Sequence, residues 1–282
     1  MIDVQRRRRR VERFMFGATA AAMVATLGVL LFLLGYIAWQ GASSLSLAFF
    51  TRLPAPVGEP GGGMANAIVG SAKLLFTAAL LGIPVGFLGG VYLAEYGRGA
   101  FAAWVRYAAD VLNGIPSIVI GITVYALVVV PMRHFSTLAG GLALGLMMIP
   151  VALRATEEFL RLVPDSLREA SLALGAPRWV TIVRVVIPAA SRGIATGLLL
   201  SLARVAGETA PLLFTALNNR LWSPGWTQPT ASLPVMIFTY AIAPYEDWHR
   251  QAWAAGLVLL VLVLGTNVLA RVIMRGGRMQ SA

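Results

Sequence analysis

Apolar residues in this chain run in long unbroken blocks, separated by short segments rich in Arg, Pro and Gly. Six blocks are long enough to cross a hydrocarbon core, which takes about 20 helical residues. They are Phe14–Trp39, Asn66–Tyr96, Trp104–Pro131, Leu138–Leu160, Gly193–Leu217 and Ala252–Ile273. Continuous apolar runs, with no alternation of inward and outward positions, predict helices and not a β-barrel. The intervals between them are too small for a separate soluble core. The predicted fold class is therefore an all-α membrane protein of six transmembrane helices. Residues 1–13 form a basic N-terminus and 14–282 one membrane domain. Trp39, Trp104, Trp248 and Trp253 fall near span ends, where interfacial aromatics belong. The first span is about twice the roughly 7–15 residues of a signal-peptide core and no convincing cleavage site follows it, so it reads as a retained helix.

Two intervals break the rhythm on the outer side: Gly41 to Ala65, with Pro54, Pro56, Pro60 and Gly61-Gly62-Gly63, and Asn218 to Gln251, with four prolines. Both read as loops. A third interval, 161–190 between the fourth and fifth spans, has more structure. Pro164 ends one helix, and Asp165 or Ser166 is placed to cap the next. Leu167, Ala170, Leu174 and Trp179 give this segment an apolar face, and Arg168, Glu169 and Arg178 give it charge. Gly175 suits the left-handed conformation that closes a helix and turns the chain. Two short helices set at an angle make a protruding knob, suited to a groove on a soluble partner. An amphipathic loop lying on the lipid surface is the alternative.

Charge distribution decides how the chain sits. The net charge is +11, and 17 of the 23 Lys and Arg fall on one side of the six-span arrangement. That asymmetry is the positive-inside pattern and predicts both termini in the cytoplasm. The run Arg6 to Arg10 is then an anchor at anionic headgroups, and a nucleic-acid role lacks groove-reading or stacking elements beside it. Hydrophobic residues make up 58% and charged ones 12%, far from the roughly 25% charged of soluble domains. With no Cys, disulfides, thiolate metal sites and a Cys nucleophile are excluded.

Polar residues inside the spans are the candidates for chemistry. Arg204 and Glu208 lie four residues apart in the fifth span, which predicts one helical face. Each costs about 2.5–3.5 kcal/mol at a helix centre unless satisfied. Either they neutralise each other and hold the bundle, or they line a wet path in which Arg204 attracts an anion and Glu208 tempers its grip. Gly207 and Pro211 predict a kink beside them. In the third span Asp110, Asn113, Gly114, Pro116 and Ser117 offer free amides and small polar groups at a helix start, either a gate for anions or a plain helix cap. Arg154, Glu157, Glu158 and Arg161 read as a solvated surface at the inner end of span four, and Lys73 as a snorkelling side chain. Glycines four residues apart (Gly82, Gly86 and Gly90; Gly141 and Gly145; Gly193 and Gly197) predict close helix packing within the chain. There is no phosphate-binding G-x-x-x-x-G-K-[ST] loop, and His134 and His249 are isolated. The chain is thus expected to be no enzyme on its own, with no metal site.

The run Glu169-Ala170-Ser171-Leu172-Ala173-Leu174-Gly175, with Val185-Val186-Ile187-Pro188 ten residues on, resembles the E-A-A-x-x-x-G-x9-I-x-L-P loop of ABC-importer permeases. Ser171 replaces an alanine, and Val185 and Ile187 are conservative changes. Three further blocks are similar to the PstA-type permeases of phosphate ABC importers. They are Pro116-Ser117-Ile118-Val119 with Gly121, Pro150-Val151 with Arg154-Ala155-Thr156-Glu157-Glu158, and Gly207-Glu208-Thr209-Ala210-Pro211. The first sixty residues match nothing beyond a basic-flanked span.

The resemblance implies a type I importer permease that moves inorganic phosphate through the cytoplasmic membrane. Its implied partners are a PstC-type permease in a heterodimer, a PstB-type ATPase dimer inside and a PstS-type phosphate-binding protein outside. ATP and Mg would be bound by the ATPase, leaving no cofactor in this chain. The loop 161–190 would couple to that ATPase through Arg168, Glu169, Ala170, Gly175, Arg178 and Pro188. Arg204, Glu208, Thr209, Asn113 and Ser117 would line the substrate path. A role in phosphate-dependent signalling is implied too. A permease for sulfate or molybdate would carry the same loop, and a non-transporting membrane scaffold or sensor would keep the charge pair for structure alone. A secondary transporter would have no use for the loop.

Overall fold

The computed structural model of the protein describes residues 2–57, 59 and 61–276. Pro60 and Arg278, which figure in the loop and charge readings, lie outside that range. The described residues are mostly helical: α1 (Ile2–Ala42), α2 (Leu47–Thr51), α3 (Ala65–Glu95), α4 (Gly99–Gly114), α5 (Ser117–Val124), α6 (Val130–Met132) and α7 (Thr137–Arg161). These are followed by α8 (Asp165–Ala173), α9 (Arg178–Thr181), α10 (Ile187–Ala206), α11 (Ala210–Thr215), α12 (Leu233–Ala241) and α13 (Glu246–Gly276). Among the described residues five helices are long and apolar enough to cross a membrane, and a bent pair, taken together as one broken span, makes a sixth.

Spans one, two, four and six fall where the apolar blocks put them, in α1, α3, α7 and α13. Spans three and five do not run straight. The third is α4 followed by α5, bent by 101° at Ile115-Pro116; proline cannot continue a helix, and it pushes the residue before it into extended backbone. The fifth crossing is Arg178–Ala206, so it starts well before Gly193 and stops at Gly207. What hydropathy assigns to its outer end is a break and the short α11.

Two π turns, Tyr125–Val129 and Ile182–Val186, link α5 to α6 and α9 to α10. In each, the residue after the turn donates its N–H five positions back, Val130 to Tyr125 and Ile187 to Ile182. Each is followed at once by a proline in the next helix, Pro131 or Pro188. A proline has no amide and crowds the carbonyl four residues earlier, and widening the preceding turn relieves both problems.

The core lies where α3 runs along α7. Gly82 packs on the Gly145 backbone, Gly86 on Ala152 and Gly90 on Thr156, so closely that an added Cβ would stand 2.5–2.9 Å from them. Gly141, Gly193 and Gly197 likewise abut Thr77, Phe159 and Ala155. The four-residue glycine spacing is therefore used for packing inside the chain. Leu74, Ala78, Leu144, Met148, Val205 and Leu212 close the middle of the bundle. Between Asn218 and Gln251, α12 is a half-buried helix and not a loop: Leu233, Met236 and Tyr240 pack with Phe49, Met64 and Ala255. Nine residues are too few to cross, yet burying them seals one end of the bundle. Lys73 does not snorkel. Its ammonium donates to the Ser223 carbonyl at 2.6 Å and lies 5.6 Å from the Trp226 ring, pinning the external segment to α3.

Candidate coupling knob and substrate path

The segment 161–190 folds as the expected knob. Pro164 takes the cap position with no side-chain cap bond, and Asp165 is the first helical residue, so neither Asp165 nor Ser166 caps. Asp165 instead accepts from Arg168 at 3.2 Å. Gly175 has φ +82°, the left-handed conformation that favours glycine, and the chain turns there. Ser171 and Thr181 share a 2.9 Å hydrogen bond that ties α8 to α9. The apolar residues of the knob point outward: Leu174 is 89% exposed and Trp179 62%, with Leu167 and Leu172 exposed beside them. Glu169, Ala170 and Pro188 are exposed as well.

Arg168 and Arg178 depart from the expected outward role. Arg168 donates to the Glu95 carboxylate at 2.8 Å and to the carbonyls of Val163 and Leu160 at 2.6 and 2.9 Å. Arg178 donates to the main-chain carbonyl of Glu95, and its guanidinium lies 4.8 Å from the Tyr96 ring. The Glu95 side chain is only 6% exposed, and a buried carboxylate without a cation would be costly. Arg168 therefore faces into the protein, whereas Arg178 remains exposed while it holds the Glu95 carbonyl. Glu95 escapes a reading by local pattern because its partner is 73 residues away. The available signal is a lone acid at a span end whose nearest basic residue, Arg98, lies outside that helix.

The candidate path residues gather at the two broken spans. Asn113 lies in the last turn of α4 and Ser117 opens α5. Arg204 lies in the last turn of α10, where a cation complements the helix's carbonyl end. Glu208 and Thr209 fall in the break between α10 and α11. Arg204 and Glu208 consequently do not share a helical face: α10 ends at Gly207, between them. The kink expected at Gly207 is a full stop, with Pro211 restarting the helix in its first turn. The two breaks are brought together by packing of α5 on α11, where a Cβ on Gly121 would lie 2.6 Å from the Pro211 Cα. Among the described residues neither Arg204 nor Glu208 forms an ion pair, and Arg204 is exposed.

The charges at the C-terminal end of α7 are a solvated surface only in part, since Glu157 is buried among them. The Glu157 side chain is 4% exposed, accepts from Arg106 at 2.7 Å and Arg154 at 3.3 Å, and pairs with Arg161 at 2.8 Å. Arg154 also grips Asp110 of α4, and Glu158 and Arg161 face out. The cluster fastens α4 to α7 beside the bend.

A bundle of six crossings, two of them broken at neighbouring points, with an exposed knob between the fourth and fifth, defines a transport permease rather than a scaffold of straight helices. The chain belongs to the family of binding-protein-dependent transport system inner membrane components, whose model matches residues 82–278. It is 48% identical over 260 residues to the phosphate transport system permease protein PstA of Yersinia pestis, covering 89% of this chain and 88% of that one. To the protein of the same name from Haemophilus influenzae it is 43% identical over 262 residues, 92% of each chain. Its fold is similar to that of a chain of the inward-facing MetNI methionine ABC transporter, with TM-score 0.61 and 20% identity, covering 76% of this chain and 96% of that one.

Proposed function

We propose that this chain is the permease subunit of an ATP-driven importer for inorganic phosphate. The identity of 48% across 89% of the chain to a phosphate transport system permease carries the reading. The site's chemistry supports it. Arg204 places an uncompensated guanidinium at the end of a crossing helix, next to a break that frees backbone polar groups. Bringing a charge there costs about 2.5–3.5 kcal/mol in lipid, a cost met when the face is covered by a second permease that encloses water and anion. Glu208 and Thr209 follow in the break, with Asn113 and Ser117 at the facing bend. An acid near the arginine keeps the anion from being held too tightly to leave.

In the same reading α8 and α9 dock on a PstB-type ATPase through Leu174, Trp179, Glu169 and Ala170, exposed on a knob whose outward face is apolar and acidic. That ATPase supplies the nucleotide and Mg chemistry, and no step of hydrolysis falls to this chain. A PstC-type permease completes the path, and a PstS-type binding protein delivers phosphate at the outer face, with both termini of this chain inside the cell. Transport by the complex reconstituted in vesicles tests the substrate: ATP-dependent uptake of labelled phosphate should be diluted by phosphate and arsenate and not by sulfate. Equal competition by sulfate would replace phosphate with a broader oxyanion.

A further inference from the structure

The geometry points to Glu95 as the residue that transmits movement of the coupling knob into the second span; this rests on the proposed docking of the knob on an ATPase. Glu95 is the last residue of α3. Both limbs of the knob hold it, and by different atoms. Arg168 of α8 takes the carboxylate, with 2.8 Å to Oε1, while Arg178 at the start of α9 takes the main-chain carbonyl. The carboxylate half of the grip is buried, with the Arg168 side chain 18% exposed and that of Glu95 6%, while Arg178 is exposed. Arg168 is itself locked, since its remaining donors hold Val163, Leu160 and Asp165. Planar guanidinium groups with several fixed bonds leave little play.

The knob continues into the chain on two sides. Toward α7 the chain passes through Pro164, and toward α10 through the π turn Ile182–Val186. Between its two limbs it turns at Gly175, against whose missing Cβ nothing packs. A push on α8 reaches the fifth crossing helix through the Ser171–Thr181 bond, and it reaches α3 through Glu95. From α3 it passes to α7 through the glycine contacts at Gly82, Gly86 and Gly90, which have no slack. Glu95 is thus a positioning residue for coupling. It touches neither the outer face of the knob nor the candidate path.

The test uses the assembled complex of both permeases, the ATPase pair and the binding protein, measuring phosphate moved per ATP hydrolysed. Glu95→Gln should leave ATPase co-purification unchanged and lower that ratio by roughly 2- to 30-fold, the range for a residue within a coupling network. In this cysteine-free chain, Glu95→Cys with Arg168→Cys should be equally uncoupled, and a short bifunctional thiosulfonate joining the two should restore the ratio. Single-cysteine controls given the same reagent should stay uncoupled. A wild-type ratio in Glu95→Gln, or a verified bridge that leaves the complex uncoupled, would overturn the assignment. Loss of the ATPase from the Glu95→Gln complex would also overturn it, making Glu95 a residue that shapes the knob. A wild-type complex that moves no phosphate with ATP would instead remove the functional reading on which it rests.

Discussion

Two charged residues, Arg204 and Glu157, do opposite things with similar chemistry. Glu157 is surrounded by Arg106, Arg154 and Arg161, whereas Arg204 has no acidic partner among the described residues. Removing Glu157 would leave three guanidiniums facing one another, so Glu157→Ala should cost about 3–5 kcal/mol of stability. Its exposed neighbour provides the control, with Glu158→Ala changing stability by no more than about 0.5 kcal/mol. Thermal unfolding in detergent compares the two. Arg204→Ala should leave assembly and unfolding temperature intact and reduce phosphate uptake by roughly 10- to 100-fold, the equivalent of one charged hydrogen bond to the anion. Normal uptake would take Arg204 out of the path. The presence of these charges is plain in the sequence, but their partners are not. Glu157 follows Arg154 by three residues and precedes Arg161 by four, a spacing equally compatible with a wet surface. Only the approach of α4, carrying Arg106, distinguishes the two.

At the scale of elements, hydropathy locates α3 and α7 to within a residue because their apolar runs are continuous and end in polar groups. It misplaces the third and fifth spans because transfer energy does not register a backbone break. Gly114-Ile115-Pro116 and Gly207 to Pro211 carry the signal, yet their flanks are as apolar as any helix. The helix α12 is missed for another reason: it is too short to cross, and burial against α13 makes it stable. Two substitutions examine the joints. Gly121→Leu should wedge α5 from α11, since even a Cβ would meet the Pro211 backbone at 2.6 Å. Uptake should then fall while the ATPase remains bound. Gly175→Ala places a side chain at φ +82° and costs about 1–2 kcal/mol. Weaker retention of the ATPase on purification is the expected result, because the knob's turn is strained where nothing else is touched.

Across the whole molecule, the proposed docking of the knob on an ATPase requires the knob to lie on the cytoplasmic side of the bilayer. The charge asymmetry, with 17 of 23 basic residues on one side, predicts that arrangement, and the absence of cysteine makes it easy to probe. A membrane-impermeant maleimide applied to intact cells should label Ser43→Cys at the outer end of α1, and should reach Ser166→Cys only after permeabilisation. The six-crossing plan and the knob are legible in the sequence because both are written in local pattern. The clamp on Glu95 is not, because it joins residues 73 positions apart. The central claim is that the knob is gripped by a nucleotide-hydrolysing subunit. A photoreactive benzophenone maleimide on Leu174→Cys, the most exposed apolar residue of the knob, measures this in native membranes. On illumination the account predicts one major adduct, of permease with ATPase; an adduct with lipid alone would contradict it.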